Sequence, residues 1–206
     1  MSQMAFYFDG TRCTGCKTCE FACKDFNDLG LGMTFRKVLE ATTGETTRDA
    51  NGCFATTCKS YTISIACNHC DSPICMANCP QQAISKNEET GFVEVDPEKC
   101  IGCGTCALSC PYHAPIVDEQ TKIAMRCHGC AERVALGMDP VCVEACPSRA
   151  LSFGTVEEME KLGDRANISP LPDVTKTQPN LFIKPCADAE PVGKIDVVNP
   201  LEVGLE

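Results

Sequence analysis

Nineteen of the 206 residues are cysteine, and sixteen of them fall into four groups with recurring spacing. The first group is Cys13, Cys16, Cys19 and Cys23, separated by two, two and three residues. The second is Cys67, Cys70, Cys75 and Cys79, with its middle gap widened to four. The third, Cys100, Cys103, Cys106 and Cys110, returns to the compact form, and the fourth, Cys127, Cys130, Cys142 and Cys146, opens its middle gap to eleven. Soft thiolates at this density serve either disulfides or metal, and spacing separates the two. Cysteines two residues apart on one loop bridge each other poorly. A pair of Cys-x-x-Cys motifs often marks zinc, but here each group adds a further cysteine at the three-residue gap and the pattern recurs fourfold.

A 4Fe-4S cubane needs four thiolates converging tetrahedrally, and a tight loop delivers three of them. The fourth must come from elsewhere. In two-cluster bacterial ferredoxins the cysteine after the three-residue gap reaches across to the other cluster, so that two groups interlock. Four groups therefore predict four 4Fe-4S clusters in two interlocked pairs. Spacing leaves the pairing open, since joining groups one with two and three with four also gives each pair one compact and one wide member. Gly15, Gly102, Gly104 and Gly129 fit turns that wrap closely around an inorganic core.

The elements that must position these loops repeat as well. Asp9 and Asp96 each stand four residues before a compact group, behind strand-like runs at 5–8 and 92–95. Groups two, three and four are closed by Pro-x-x-Ala, at Pro80, Pro111 and Pro147, where proline is expected to end the short helix carrying the last cysteine. Such recurrence is the mark of a duplicated unit. Residues 31–62 hold no ligand pattern and read as strands 33–41 and 54–65 around Asn51-Gly52, a β-hairpin insertion. Thr155-Val156-Glu157-Glu158 fits a capping box opening a helix through about residue 164. Beyond Pro170 come five more prolines and little periodicity, which predicts an extended tail over this subunit or a neighbour.

Composition bounds the rest. The apolar share is 44%, but it includes the cysteines, and only 9 Phe, 3 Tyr and no Trp remain for aromatic burial. A core this thin is expected to lean on metal ligation. The formal charge is -10. Four cluster sites, each adding roughly -2, take it to around -18. Nucleic-acid binding, which needs a basic face, is excluded as a role. The N-terminus shows no basic stretch leading into an apolar run, so no secretory signal is expected there, and no segment approaches the length of a membrane span. Membrane contact would have to come through another subunit.

With the ligands in place, the sequence resembles the iron-sulfur subunits of dimethyl sulfoxide reductase-type molybdopterin oxidoreductase complexes. The likeness runs from Cys-Thr-Gly-Cys-Lys-Thr-Cys-Glu at 13–20, through Cys-Asn-His-Cys at 67–70 and Cys-Ile-Gly-Cys at 100–103, to Ile-Lys-Pro at 183–185. Nitrate, polysulfide, thiosulfate, tetrathionate and formate enzymes use similar subunits. The resemblance implies an α+β fold of two interlocked bacterial-ferredoxin-like units with a β-hairpin insertion and an extended C-terminal tail. It implies nested pairing, group one with four and two with three. The ligand sets become Cys13, Cys16, Cys19 and Cys146; Cys127, Cys130, Cys142 and Cys23; Cys67, Cys70, Cys75 and Cys110; Cys100, Cys103, Cys106 and Cys79. That is also the implied spatial order, from a molybdopterin catalytic subunit to an integral membrane quinol-binding anchor. Some nitrate reductase relatives carry Trp in place of the second ligand of group three and hold a 3Fe-4S cluster; Cys103 here favours four cubanes. The domains implied are residues 1–30 with 120–154 as one discontinuous unit, 31–62 as the hairpin, 63–119 as the second unit, and 155–206 as a short helix with a partner-binding tail.

The function expected is an electron relay in anaerobic respiration, membrane-associated through partner subunits. The alternatives are the same relay in a soluble molybdopterin enzyme without an anchor, or a free polyferredoxin carrier. Catalysis by this subunit alone is not expected, because fully Cys-ligated irons leave no open coordination site and no nucleophile-base pair is visible. Cys53, Cys58 and Cys186 read as structural or incidental thiols, with a Cys53–Cys58 disulfide across the hairpin as the alternative. His69, His113 and His128 read as solvated or as hydrogen-bonding behind the ligands. Arg12, Lys17 and Lys24 surround the first group as surface charge, with docking or tuning of that cluster as the alternative.

Overall fold

The computed structural model describes residues 3–193 and 195–203. In chain order the elements are β1 (Met4–Asp9), α1 (Thr18–Phe26), β2 (Lys37–Thr43), β3 (Thr46–Arg48), β4 (Phe54–Thr56), β5 (Lys59–Ile65), α2 (Ile74–Ala77), β6 (Ile84–Lys86), β7 (Val93–Val95) and α3 (Thr105–Ser109). There follow β8 (Ile116–Val117), β9 (Ala124–Met125), α4 (Ala131–Ala135), α5 (Val141–Glu144), β10 (Leu151–Thr155), α6 (Val156–Met159), β11 (Asp164–Arg165) and β12 (Leu181–Lys184). Short helices and two- to three-residue strands dominate.

The largest sheet has the order β10-β1-β12-β11. Strand β1 is buried on both faces because its period-two alternation serves two clusters of side chains. Phe6 and Phe8 enter the main core, whereas Ala5 and Tyr7 meet Met159 and Phe182 on the other face. Antiparallel pairing of β1 with β10 joins the region of the first cysteine group to that of the fourth. Helix α1 then packs on α5, and α2 packs on α3.

Residues 37–65 form a two-step hairpin. Strands β2 and β5 pair from Lys37↔Ile65 to Thr43↔Lys59, and β3 and β4 continue the ladder toward an exposed tip. Residues 33–36, expected as strand, lie outside it. There the chain delivers Phe35 and Arg36 into the interior.

Three other expectations need correction. The capping box at Thr155 is present, but α6 ends at Met159 instead of running to 164. The chain must straighten to pair β11 with β12, and Gly163 passes so close that a Cβ there would stand 2.5 Å from the Ile183 carbonyl. The stretch beyond Pro170, expected as an extended tail over this subunit or a neighbour, contributes an interior strand of this subunit, β12, parallel to β1 and antiparallel to β11. Finally, the last cysteines of groups two, three and four stand just past their helices, and only Cys23 lies within one. Lys24 follows Cys23 where proline follows the others, so α1 alone continues, to Phe26.

Candidate metal centres

The two compact groups are set by the same turn. The carbonyl of Asp9 accepts from the Cys13 amide (3.3 Å), and that of Asp96 from the Cys100 amide (3.1 Å). Each Asp side chain also accepts from the amide two residues on, at Thr11 and Glu98, an Asx turn in both copies. The chain then enters the helix through a left-handed residue, Lys17 before α1, Gly104 before α3 and Cys130 before α4. Thr18 and Thr105 lie within hydrogen-bonding reach of Cys16 and Cys103, at 3.4 and 3.3 Å.

The sixteen cysteines gather into four places. Cys13, Cys16, Cys19 and Cys146 line one cavity, beside Ser64 and Pro147. Cys23, Cys127, Cys130 and Cys142 line a second with Arg36, Phe35 and Pro140. Cys79, Cys100, Cys103 and Cys106 line a third with Pro80, Ile84 and Val95. Cys67, Cys110 and Cys75 are the thiols beside Cys70. Among the described residues no three Cys, His, Asp or Glu side chains converge tightly enough for a single metal ion. Four thiols brought together at one place are a donor set of the kind that holds an iron-sulfur cubane.

Donors aim at the sulfurs. Backbone amides of Ala83, Ala124, Gly129 and Ala150 donate to Cys79 (3.3 Å), Cys100 (3.4 Å), Cys127 (3.4 Å) and Cys146 (3.3 Å). The Thr62 hydroxyl donates to Cys13 (3.2 Å), and Ser64 Oγ lies 3.3 Å from Cys19 Sγ. Burial pushes the Cys23 and Cys70 thiols up to about 12. The exposed pair moves the other way, since the hydroxyls of Thr18 and Thr105 lower Cys16 and Cys103. A buried thiol becomes a ligand when metal displaces its proton, so sulfurs that are both buried and surrounded by donors suit a cluster.

Two arginines escape a reading based on cysteine spacing. Arg36 is 1% exposed and Arg126 6% exposed. Arg126 Nη1 donates to Cys75 Sγ at 3.2 Å, and Nε and Nη2 of both arginines have no hydrogen-bond partner among the described residues. The available signal was a charged residue inside an apolar stretch, Phe35-Arg36-Lys37-Val38 and Met125-Arg126-Cys127. Lys37 is also buried, with Nζ donating to the His113 carbonyl (3.0 Å).

The other candidates divide. His69 is buried between Cys67 and Cys70; its Nδ1 accepts from the Val93 amide (2.9 Å), and burial lowers its pKa to about 3, so it is neutral. His128 is half-buried, 2.8 Å from Asn27 Oδ1, and His113 is exposed. Lys17 pairs with Glu40 (2.9 Å) and with Glu202 of the tail. Lys24 Nζ donates to the carbonyls of Met33 (2.9 Å) and Gly30, and Arg12 pairs loosely with Asp9 (3.8 Å). Cys186 is half-buried, and Cys53 and Cys58 are exposed free thiols. A bridge between these two is ruled out because β4 lies between them on one extended strand, which separates them by roughly 15 Å.

Comparison with known proteins matches residues 58–156 to a 4Fe-4S dicluster domain, and with that match the mixture of short helices and strands is a ferredoxin-like fold. The sequence is 50% identical over 186 residues to the B subunit of the anaerobic dimethyl sulfoxide reductase of Haemophilus influenzae, covering 90% of each. It is 46% identical to the B subunit of the same enzyme in Escherichia coli, over 98% of this chain and 99% of that one. With the thiosulfate reductase electron transfer subunit PhsB of Salmonella typhi the identity is 36%, over 77% of this chain and 79% of the relative.

Proposed function

This protein belongs to the family of iron-sulfur subunits of dimethyl sulfoxide reductase-type complexes, a non-catalytic electron-transfer subunit, and on that footing we propose that it holds four 4Fe-4S clusters and relays electrons between a molybdopterin catalytic subunit and a quinol-oxidising membrane anchor. The observation that carries the reading is the grouping of sixteen sulfurs, four to a place, with amide and hydroxyl donors turned toward them. The proposed ligand sets are the nested ones: Cys13, Cys16, Cys19 with Cys146; Cys127, Cys130, Cys142 with Cys23; Cys67, Cys70, Cys75 with Cys110; and Cys100, Cys103, Cys106 with Cys79. The packing of α1 on α5 and of α2 on α3 supports that pairing. It divides the chain into the discontinuous unit 1–30 with 120–154 and the unit 63–119.

When bound, such clusters supply one-electron redox chemistry. The protein's own residues hold the sulfurs, keep water from most of them and offset their charge. None of the described helices is long and apolar enough to cross a membrane, so in this reading the contact with the bilayer belongs to the anchor subunit. Protein purified without oxygen should carry about sixteen iron atoms and little zinc. About eight iron atoms would remove the four-cluster reading, and failure to co-purify with a large molybdopterin subunit would remove the relay.

A further inference from the structure

We propose that Arg36 and Arg126 are internal counter-charges, one at the junction of the two cysteine sets in each ferredoxin-like unit, and that they raise the reduction potentials of the clusters beside them. The inference rests on reading the four cysteine sets as cluster sites.

A buried guanidinium without an anion is costly, by several kcal/mol. Among the described residues neither arginine forms an ion pair with a carboxylate. Each instead stands among sulfurs. Arg36 lines the cavity of Cys23, Cys127, Cys130 and Cys142. Its Nη1 also donates to Ser64 Oγ (3.2 Å), which lies 3.3 Å from Cys19 Sγ in the neighbouring set. The guanidinium is held over the Phe6 ring, 4.6 Å from its centroid. Arg126 donates to Cys75 Sγ (3.2 Å) and stands beside the thiols of Cys67, Cys75 and Cys106, which come from both sets of the second unit.

Four thiolates give a cluster site a net negative charge that grows by one on reduction. A fixed cation at short range stabilises the reduced form more than the oxidised one. Placed between two sites, it also offsets their mutual repulsion when both are reduced. The orphaned Nε and Nη2 of both arginines are donors that the protein leaves for such a body. Neutral glutamine would keep part of the packing and lose the charge, whereas lysine would keep the charge and lose the fork.

The test is a redox titration of the assembled complex followed by electron paramagnetic resonance, with iron determined on the same samples, for Arg36→Gln, Arg36→Lys, Arg126→Gln and Arg126→Lys. The expected result is full iron in each. Arg36→Gln should lower the potentials of two clusters by at least tenfold in the reduction equilibrium, about 59 mV for one electron, and Arg126→Gln should lower those of the other two. The lysine variants should stay within that tenfold. Unchanged potentials, or a uniform shift of all four, in an iron-replete glutamine variant would overturn the proposal. If a glutamine variant loses iron, its lysine variant decides: full iron with near-parental potentials upholds the role, and lost iron or a fall as large as tenfold overturns it. Fewer than four clusters in the parent would instead count against the cluster reading, independently of the arginines.

Discussion

Two glycines in one ligand loop show what the residue scale controls. Gly102 and Gly104 both adopt positive φ, +65 and +75, between Cys100 and Cys106. An alanine in that conformation costs about 1–2 kcal/mol. At 104 nothing lies within 4 Å of a Cβ, so strain is the whole cost. At 102 the Cβ would stand 2.1 Å from the Lys122 carbonyl, in a turn closed by the Lys122 amide on Asp118 (2.9 Å). Gly104→Ala should therefore keep its iron and lose only that strain in a denaturation experiment. Gly102→Ala should lose about a quarter of the iron, the share of one cubane in four. Full iron in Gly102→Ala would show that the loop tolerates the shift. Loop glycines of this kind are legible in a sequence because their reason is local. Arg36 and Arg126 are not, since their role depends on burial beside cysteines up to 106 positions away, as Arg36 is from Cys142.

At the scale of elements, legibility followed range. The capping box at Thr155 and the turns at Asp9 and Asp96 are contacts within a few residues, and the sequence pattern reveals them. The end of α6 and the existence of β12 depend on pairing with distant strands. A four-residue run between Asn180 and Pro185 is too short for any period to appear. Leu181, Phe182 and Ile183 are nonetheless each at most 3% exposed, and β12 covers the edge of β1. Truncation before Leu181 should bare that edge and give an insoluble, iron-poor product. Truncation before Asp196 removes a smaller set of contacts: Asn199 on the Val38 carbonyl and Glu40 amide, Val197 bridging Ala41, the Val198 amide on the Glu40 carbonyl, the buried Val203 side chain, and Glu202 on Lys17. That product should stay soluble with its iron, while amides near Lys17 exchange faster with solvent. A soluble, iron-loaded protein from the truncation before Leu181 would deny β12 its structural role.

For the whole molecule, exposure orders the four sets. Cys16 and Cys103 are the exposed cysteines among the proposed ligands, one in the first nested pair and one in the second. The set of Cys23, Cys127, Cys130 and Cys142 is buried throughout. The two exposed positions differ in surroundings. Cys16 adjoins Lys17 with its two acidic partners and has Phe21, 69% exposed, five residues on, while Cys103 is flanked in sequence by Ile101 and Leu108, 60% and 88% exposed. In the proposed order, which runs from the catalytic subunit at Cys16 to the anchor at Cys103, the apolar rim of Ile101 and Leu108 faces the anchor. Cys103→Ser removes one soft ligand at that rim and leaves Cys100, Cys106 and Cys79 in place, so the expected product there is a 3Fe-4S centre of higher potential. Electrons entering from quinol should then be held at this position. An artificial reductant that feeds the catalytic subunit directly bypasses it. Quinol-linked turnover should consequently fall at least tenfold, with reductant-linked turnover and assembly of the complex preserved. An equal fall in both activities, or unchanged quinol-linked turnover with the complex intact, would mean that the Cys103 set is not the point of entry.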